Sequence, residues 1–257
     1  MTDSWWLHLC AFPIGLLVGS FLNICVSRLP DGQSVVFEIS QCPSCHFPIA
    51  WSDNIPVLGC IWRSRRCRHC QSSISLRYPI IELLNGLGYV GIVIVFGWTV
   101  AAVVYALFYS SLLVMAWIDF NHLIIPDVIS LPGIVIGLGA AVTVLPIGFM
   151  NSLIGVLIGG GILWFLDILS PYMFGKEGLG GGDIQLLAMI GAFLGWQPVL
   201  VTLILASLFG VLVGIGLLVF KMMERGYHIP FGPFLVFGAI IALFFNSNIM
   251  KWYLGVL

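Results

Sequence analysis

The sequence predicts an all-α polytopic membrane protein with about eight transmembrane helices and a small cytoplasmic zinc-binding insertion. Of the 257 residues, 60% are hydrophobic and only 8% are charged, whereas about a quarter of the residues in soluble domains are charged. The hydrophobic residues form successive runs, most of them long enough to cross a bilayer as helices. The one sizeable polar insertion contains two Cys-x-x-Cys pairs, a spacing that indicates zinc.

Glycine, proline and polar residues divide the hydrophobic sequence into eight segments. The sixth segment is short and is the weakest candidate to span a membrane alone, but it is counted among the eight crossings. Asp3, with no Lys or Arg, precedes the first segment, and no small-residue cleavage site is evident, so we expect the first helix to remain as an anchor. The segments cover residues 5–26, 79–97, 99–118, 127–148, 151–169, 183–194, 198–220 and 231–246.

The basic residues predict the orientation of these segments, because cytoplasmic loops of membrane proteins carry an excess of Lys and Arg. If the N-terminus lies outside, only Lys251 falls on the outer side. Eight crossings then return the C-terminus to the outside. The residues placed on the cytoplasmic side are Arg28, Arg63, Arg65, Arg66, Arg68, Arg77, Lys176, Lys221 and Arg225.

The polar insertion, residues 28–78, is predicted to fold around a metal ion. Its two Cys-x-x-Cys pairs are separated by 21 residues, and four thiolates suit a closed tetrahedral zinc site that can fold a loop too small to have its own core. Two reduced or redox-active pairs are the alternative, but neither role requires two matched pairs. We interpret His46 and His69 as flanking residues. The predicted ligands are Cys42, Cys45, Cys67 and Cys70.

Four arginines of the insertion form a small basic cluster. We interpret them as contacts to membrane lipid or as determinants of topology, with attraction of an acidic substrate as the alternative. The cluster is too small and too close to the membrane to indicate nucleic acid. Its members are Arg63, Arg65, Arg66 and Arg68.

Residues 180–183 read Gly-Gly-Gly-Asp, a Gly-x-Gly-Asp pattern at the start of the sixth segment. An ionisable side chain at membrane depth is costly and is therefore a functional candidate. The alternative is that Asp183 merely caps its helix. Asp119 favours the functional interpretation because it ends the third segment, and the predicted topology brings both acids to the cytoplasmic face.

The remaining ionisable residues are less informative. Asp127 is best explained as the first residue of the fourth segment, separated from Asp119 by Pro126. Asp167 lies near the predicted cytoplasmic end of the fifth segment, where it can approach the lipid head groups. Glu82 lies inside the second segment, shortly after the insertion, and is harder to explain as a structural residue.

Two carboxylates that converge on one water molecule are the minimal equipment of an aspartic protease. The ionised acid takes a proton from the attacking water, and the protonated acid donates to the scissile carbonyl. Glycines beside Asp183 would let an extended peptide approach. Because a helix dipole favours an anion at the N-terminus and disfavours one at the C-terminus, we predict that Asp119 carries the shared proton.

Further motifs occur in a fixed order along the chain. They include Gly-Leu-Leu-Val-Gly-Ser-Phe-Leu-Asn at 15–23, Arg-Leu-Pro at 28–30, Asn-Ile-Pro-Val-Leu at 54–58, Arg-Tyr-Pro at 77–79, Glu-Leu-Leu at 82–84, and Ile-Pro-Phe-Gly-Pro at 229–233. With the cysteines, Ile118-Asp119, Pro126-Asp127 and residues 178–183, these motifs resemble the bifunctional type IV prepilin leader peptidases with N-methyltransferase activity. The resemblance covers nearly the whole chain.

This resemblance implies a substrate, a second activity and a location. Such enzymes cleave the leader of prepilins or pseudopilins after a glycine at the cytoplasmic face of the bacterial inner membrane, and then methylate the new α-amine with S-adenosylmethionine. By the positions of the motifs, the resemblance implies that Asp119 and Asp183 are the catalytic residues and that Gly180 and Gly182 belong to the active-site loop. It also implies that Glu82 is a methyltransferase-associated, cofactor-binding position. The implied domains are a first helix at 1–27, a zinc loop at 28–78 and peptidase helices at 79–257.

One residue departs from the family pattern: Gln185 stands where members commonly have lysine, which would favour ionised Asp183. The S-adenosylmethionine expectation rests on the resemblance, because the sequence has no Rossmann glycine fingerprint. A transporter, a zinc-dependent hydrolase and a non-catalytic pilus or secretion assembly component are the competing interpretations. The first would favour internal repeats, the second needs an open metal position, and the third needs no second acid at the same face.

Overall fold

The computed structural model describes residues 8–35, 45, 47, 56–57, 66–73, 75–174, 180–220 and 229–254. Within these residues the regular structure is helical, apart from one isolated antiparallel bridge between Arg66 and Ser73. A short 3-10 turn, Leu29–Asp31, follows the first helix. The helices are α1 (Ala11–Arg28), α2 (Arg77–Phe96), α3 (Val100–His122), α4 (Asp127–Thr143), α5 (Phe149–Phe174), α6 (Gly181–Leu194), α7 (Trp196–Val219) and α8 (Gly232–Leu254).

Each of these helices overlaps one predicted segment. By length and composition, α1, α2, α3, α5 and α7 can cross a membrane, whereas α4, α6 and the apolar part of α8 are shorter. The prediction of an all-helical integral membrane protein is thus confirmed for the described part of the chain, and the number of eight spans stays a prediction. Helix α4 ends five residues before the predicted boundary at 148, because Pro146 disfavours helical backbone in the residue before it.

The chain divides into two compact units, Met1–Val114 and Met115–Leu257, and α3 contributes to both. In the first unit, α1 packs against α2. A Cβ atom at Gly15 would lie 2.7 Å from Gly86 Cα, and one at Gly19 would lie 2.7 Å from Glu82 Cα. The close approach requires glycine at both α1 positions, in agreement with the use of small residues where membrane helices pack.

Hydrogen bonds between buried polar side chains link the helices of the first unit. Asn85 Nδ2 donates to Gly15 O at 2.8 Å, and Asn85 Oδ1 accepts from Ser110 Oγ at 2.8 Å. Tyr89 Oη and Ser110 Oγ are 3.1 Å apart. Because both ends of the Asn85 amide have partners, this buried polar group does not carry the desolvation cost of an unpaired one.

Helix α6 occupies the centre of the second unit. It contacts α4, α5, α7 and α8, and its residues Leu186 to Leu194 are all buried. A Cβ atom at Gly159 of α5 would lie 2.6 Å from Leu187 O, so the two backbones pack directly against each other. A helix that is apolar on all sides is buried on all sides, which explains why this short segment is so hydrophobic.

The predicted insertion lies between the end of α1 at Arg28 and the start of α2 at Arg77. Most of it lies outside the described residues, including Cys42, Cys60 and His46. Its described parts include the turn at Pro56-Val57 and the turn around the second cysteine pair, Arg66–Ser73.

Candidate active site

Asp119 lies one turn before the end of α3 and is only 6% exposed. Its Oδ2 atom accepts a hydrogen bond of 3.0 Å from the backbone N–H of Gly232, the first residue of α8. The first N–H groups of a helix have no acceptor within the helix. The Asp119 carboxylate therefore satisfies one of these donors at the start of α8.

The chain after Asp119 changes direction sharply. The N–H of Leu123 donates to Asp119 O at 2.9 Å, and Leu123 has a positive φ of 56°, the left-handed conformation that often ends helices. Pro126 is extended, with φ −69° and ψ 120°, and α4 begins at Asp127. Asp119 and Asp127 therefore belong to different helices, as the position of Pro126 between them predicted.

Asp183 occupies the third position of α6. The N-terminal cap is Gly180, whose backbone is extended, and the N–H of Asp183 donates to Gly180 O at 3.0 Å. The alternative in which Asp183 merely caps the helix is therefore wrong. The half-buried Asp183 carboxylate lies close enough to Asp119 for the two carboxylates to repel each other, so the structure brings the two acids together.

The three glycines before Asp183 have different surroundings. A Cβ atom at Gly182 would lie 2.8 Å from Ile125 Cβ in the linker between α3 and α4, whereas one at Gly181 would meet nothing within 4 Å. A Cβ atom at Gly180 would lie 3.9 Å from Asp183 Oδ2, an ordinary contact. Gly182 thus lets the helix start pack against the linker, and the open space lies at Gly181.

Gln185 makes a contact that sequence reasoning did not predict. Its Oε1 atom accepts a hydrogen bond of 2.7 Å from Ser130 Oγ on α4, and Ser130 is fully buried. A neutral amide thus joins α4 to the first turns of α6, two residues after Asp183.

The contact from Gly232 also bears on the predicted protonation of the pair. Asp119 does lie near the C-terminus of α3, but its carboxylate meets the N-terminus of α8, where N–H groups and the helix dipole stabilise an anion. This contribution opposes the one from α3 on which the prediction rests. Both carboxylates therefore meet a helix N-terminus, which weakens the argument from α3 alone, and the assignment of the shared proton to Asp119 stays a prediction.

The other acids near these helices have different environments. Asp127 is exposed at the start of α4, as predicted, and Asp167 is half-buried in α5. His122 is exposed at the end of α3. None of the three is as buried as Asp119.

Three of the four predicted metal ligands lie together. The sulfur atoms of Cys45, Cys67 and Cys70 all lie within 4.8 Å of one another, and Cys45 Sγ is 3.9 Å from Cys67 Sγ. A disulfide requires about 2.05 Å, whereas tetrahedral zinc with bonds of about 2.3 Å places its sulfur ligands about 3.8 Å apart. These distances fit a metal site rather than a disulfide.

The turn around the second pair is suited to ligand binding. Cys67 N–H donates to Ser72 O at 3.0 Å, and Gln71 N–H donates to Cys67 O at 3.1 Å. The Ser72 hydroxyl, 3.0 Å from Cys70 Sγ, lowers the pKa of the exposed Cys70 thiol, which favours the thiolate that binds metals. His69 stacks on Phe47 with ring centroids 4.7 Å apart.

Glu82 lies in the second turn of α2 and is 7% exposed. Its Oε2 accepts a hydrogen bond of 2.7 Å from the N–H of Val57, in the described turn at Pro56-Val57 of the insertion. Its other partners are Asn23 Nδ2, 3.4 Å from Oε1, and the Ser20 hydroxyl. A buried carboxylate whose described partners are all neutral donors is unusual, since buried charges are normally paired.

Comparisons with known proteins identify the family. Residues 14–96 match the family described as Bacterial Peptidase A24 N-terminal domain, and residues 106–215 match the Type IV leader peptidase family. The chain belongs to the type IV leader peptidase family. In this family member, the region matched by the Type IV leader peptidase family contains Asp119 and Asp183. The region matched by the N-terminal domain family contains Glu82 and the cysteine pairs.

Curated relatives of this leader peptidase family member cover most of its length. A protein of Aeromonas salmonicida is 35% identical over 285 residues, which cover 98% of this chain and 96% of the relative. One of Pseudomonas aeruginosa is 36% identical over 271 residues, covering 96% and 93%, and one of Myxococcus xanthus is 40% identical over 204 residues, covering 79% and 61%. All three are named prepilin leader peptidase/N-methyltransferase. No solved structure matches the chain.

The contacts of two residues of this leader peptidase family member emerge only from the structure. Gly232 lies within Ile-Pro-Phe-Gly-Pro and Asn23 ends the first of the motifs, but the sequence does not indicate their contacts to Asp119 and Glu82. A signal for Gly232 existed, because a helix start after a polar turn on the cytoplasmic side offers free N–H groups to an acid at the same face.

Proposed function

We propose that the chain cleaves the leader peptides of prepilins or pseudopilins after a glycine, with Asp119 and Asp183 as the catalytic pair, and then N-methylates the new N-terminal residue. The names of the relatives support both activities. The observation that carries the site assignment is the proximity of the two carboxylates where α3 ends and α6 and α8 begin. Methylation follows cleavage because only cleavage creates the α-amine of the mature N-terminal residue.

The two acids divide the chemistry of amide hydrolysis. One ionised carboxylate takes a proton from the attacking water, and the protonated partner donates to the carbonyl oxygen of the scissile amide. The N–H of Gly232 holds Asp119 in one orientation, and the packing of Gly182 on Ile125 positions the turn that carries Asp183. The space at Gly181 offers room for an extended peptide beside the acids.

The cysteine insertion at 28–78 is proposed to bind structural zinc through Cys42, Cys45, Cys67 and Cys70. The close sulfur atoms of the three described cysteines support this assignment, and a fourth thiolate would close a tetrahedral site. Zinc would order the loop that contains Val57 and so maintain its contact with Glu82. S-adenosylmethionine supplies the methyl group when bound; the relatives' N-methyltransferase name supports it.

The enzyme is proposed to lie in the bacterial inner membrane, in contact with lipid, with both termini outside and the acids and zinc loop facing the cytoplasm. The distribution of Lys and Arg supports this orientation. The peptidase helices would then begin at residue 79, after the loop and the first helix at 1–27.

The peptidase assignment is tested by mass measurement of a synthetic prepilin peptide incubated with purified protein, with and without S-adenosylmethionine. Asp119→Asn and Asp183→Asn are expected to reduce cleavage by at least about 100-fold, as is typical for general acid–base residues. Asp127→Asn is the matched control because Asp127 is exposed on the neighbouring helix, and it should retain cleavage. Cleavage that survives either variant of the pair would overturn the assignment.

A further inference from the structure

The first unit contains a buried side-chain oxygen atom, next to the Glu82 carboxylate, that the described residues do not satisfy. Asn23 is only 2% exposed, and its Oδ1 atom has no hydrogen-bond partner among the described residues. Its Nδ2 atom faces three acceptors: Tyr78 O at 3.2 Å, and Gly19 O and Glu82 Oε1 at 3.4 Å. A buried acceptor without a donor is costly, so a donor that the described residues do not supply is expected here.

The adjacent Glu82 carboxylate has hydrogen bonds but no cationic partner among the described residues. Its described partners are a backbone N–H, an amide and a hydroxyl, all of them neutral. Asn23 Oδ1 also lies close to Glu82, because Oδ1 belongs to the same amide group as Nδ2, and Nδ2 is 3.4 Å from Glu82 Oε1. A small cation with several N–H groups can bridge two such oxygen atoms, and an ammonium group has three donors and no acceptor.

The backbone on both sides of the Glu82 carboxylate is conformationally constrained. Val57 has a positive φ of 60°, a conformation that is strained for a β-branched residue. Such strain persists where the surrounding contacts impose it, and it is concentrated at functional sites. On the other side, Gly19 lets the α1 backbone reach Glu82 directly. The carboxylate is thus held between α1 and the Pro56-Val57 turn of the insertion.

We propose that Glu82 and Asn23 hold the α-ammonium group of the cleaved pilin for methyl transfer. This inference rests on the proposed function, since the ammonium is the product of leader cleavage and the acceptor of the methyl group. Glu82 also serves as the proton acceptor: an N–H bond of the ammonium breaks, the proton forms an O–H bond with the carboxylate, and the electron pair stays on nitrogen. That lone pair is what a methyl donor requires.

The experiment measures whether the protein recognises a free N-terminal amine. Two fluorescent peptides of the mature pilin N-terminus, identical except that one is N-acetylated, are titrated against detergent-solubilised protein. We expect the unmodified protein to bind the free-amine peptide at least tenfold more tightly. Glu82→Gln should reduce this preference to near one while its amide oxygen still accepts the Val57 N–H, and Asn23→Ala should reduce it partially.

A control variant separates recognition from folding. Asn85→Ala removes another buried asparagine of the same unit, whose amide has partners at both ends, and should leave the amine preference unchanged. Methylation of the free-amine peptide should fall in Glu82→Gln, while cleavage of a prepilin peptide persists.

The inference is overturned if the unmodified protein binds both peptides equally, or if Glu82→Gln keeps the full preference and methylates normally. Neither result affects the peptidase assignment. The proposed function itself fails in a different way, namely if the unmodified protein neither cleaves the prepilin peptide nor methylates the free-amine peptide.

Discussion

Adding a single methyl group to Gly232 should disable the peptidase through Asp119. In the structure, a Cβ atom at Gly232 would lie 2.6 Å from Asp119 Oδ2 and 3.1 Å from its Cγ. Ordinary contact begins near 3.4 Å, so the carboxylate and the start of α8 must move apart by about 0.8 Å. A displacement of about 1 Å can cost roughly 100-fold in rate, which corresponds to about 2.7 kcal/mol of activation free energy.

The assay is leader cleavage by Gly232→Ala, with kcat and KM measured separately on a prepilin peptide. We expect kcat to fall about 100-fold with a small change in KM, because the displaced group is an acid rather than a determinant of substrate binding. Helix stability is not expected to suffer from the change itself, since alanine is a better helix former than glycine. The second activity, methylation of a peptide that is already cleaved, should persist and shows that the protein is folded.

Gly139→Ala is the matched control. Gly139 lies in α4 of the same unit, and a Cβ atom there would meet nothing within 4 Å. This variant should cleave within about threefold of the unmodified protein. If Gly232→Ala cleaves equally well, the Asp119 carboxylate does not need its contact with α8, and the geometric reasoning is refuted.

Three further predictions concern other contacts. Gly182→Ala should lower the kcat of cleavage about tenfold, because its Cβ atom would press on Ile125 in the linker after α3. Gly181→Ala should leave kcat unchanged, because a Cβ atom there has open space. Equal rates for the two variants would show that this packing is unimportant. Gln185→Lys should move the acidic limb of the pH profile of cleavage to lower pH, because an ammonium group favours the ionised acid; an unchanged profile would place residue 185 beyond the electrostatic reach of the pair. Cys67→Ser should lose bound zinc in elemental analysis and reduce methylation more than cleavage, whereas Cys10→Ser should retain the metal; full zinc content in Cys67→Ser would contradict the ligand set.

The glycines before Asp183 illustrate how a correct motif can be given an incomplete explanation. The pattern pointed to backbone that must be approached closely, and the expected neighbour was the substrate. At Gly182 the neighbour is Ile125 of the protein itself. A glycine motif indicates close approach by another group, but only the packed structure shows whether that group belongs to the substrate or to the protein itself.

The protonation of the aspartate pair shows a similar limit. Each acid was assigned to the helix that contains it, because sequence position determines which helix a residue belongs to. The electrostatic environment of Asp119 also depends on α8, which begins 113 residues later and donates its first N–H to the carboxylate. Electrostatic fields act through space, so a non-local contact of this kind has no signature in the local sequence.

The sequence by itself determined the helical membrane class, the approximate course of the helices and the cysteine pairs, and its predicted topology placed Asp119 and Asp183 at one face. These features follow from hydrophobicity, charge distribution and spacing, which are properties of the chain taken in order. Only the tertiary structure placed Gly232 against Asp119, Ser130 against Gln185, and Val57 and Asn23 around Glu82. These contacts join residues far apart in the chain, and they depend on helix packing at distances of a few ångströms, which hydrophobic patterns do not specify.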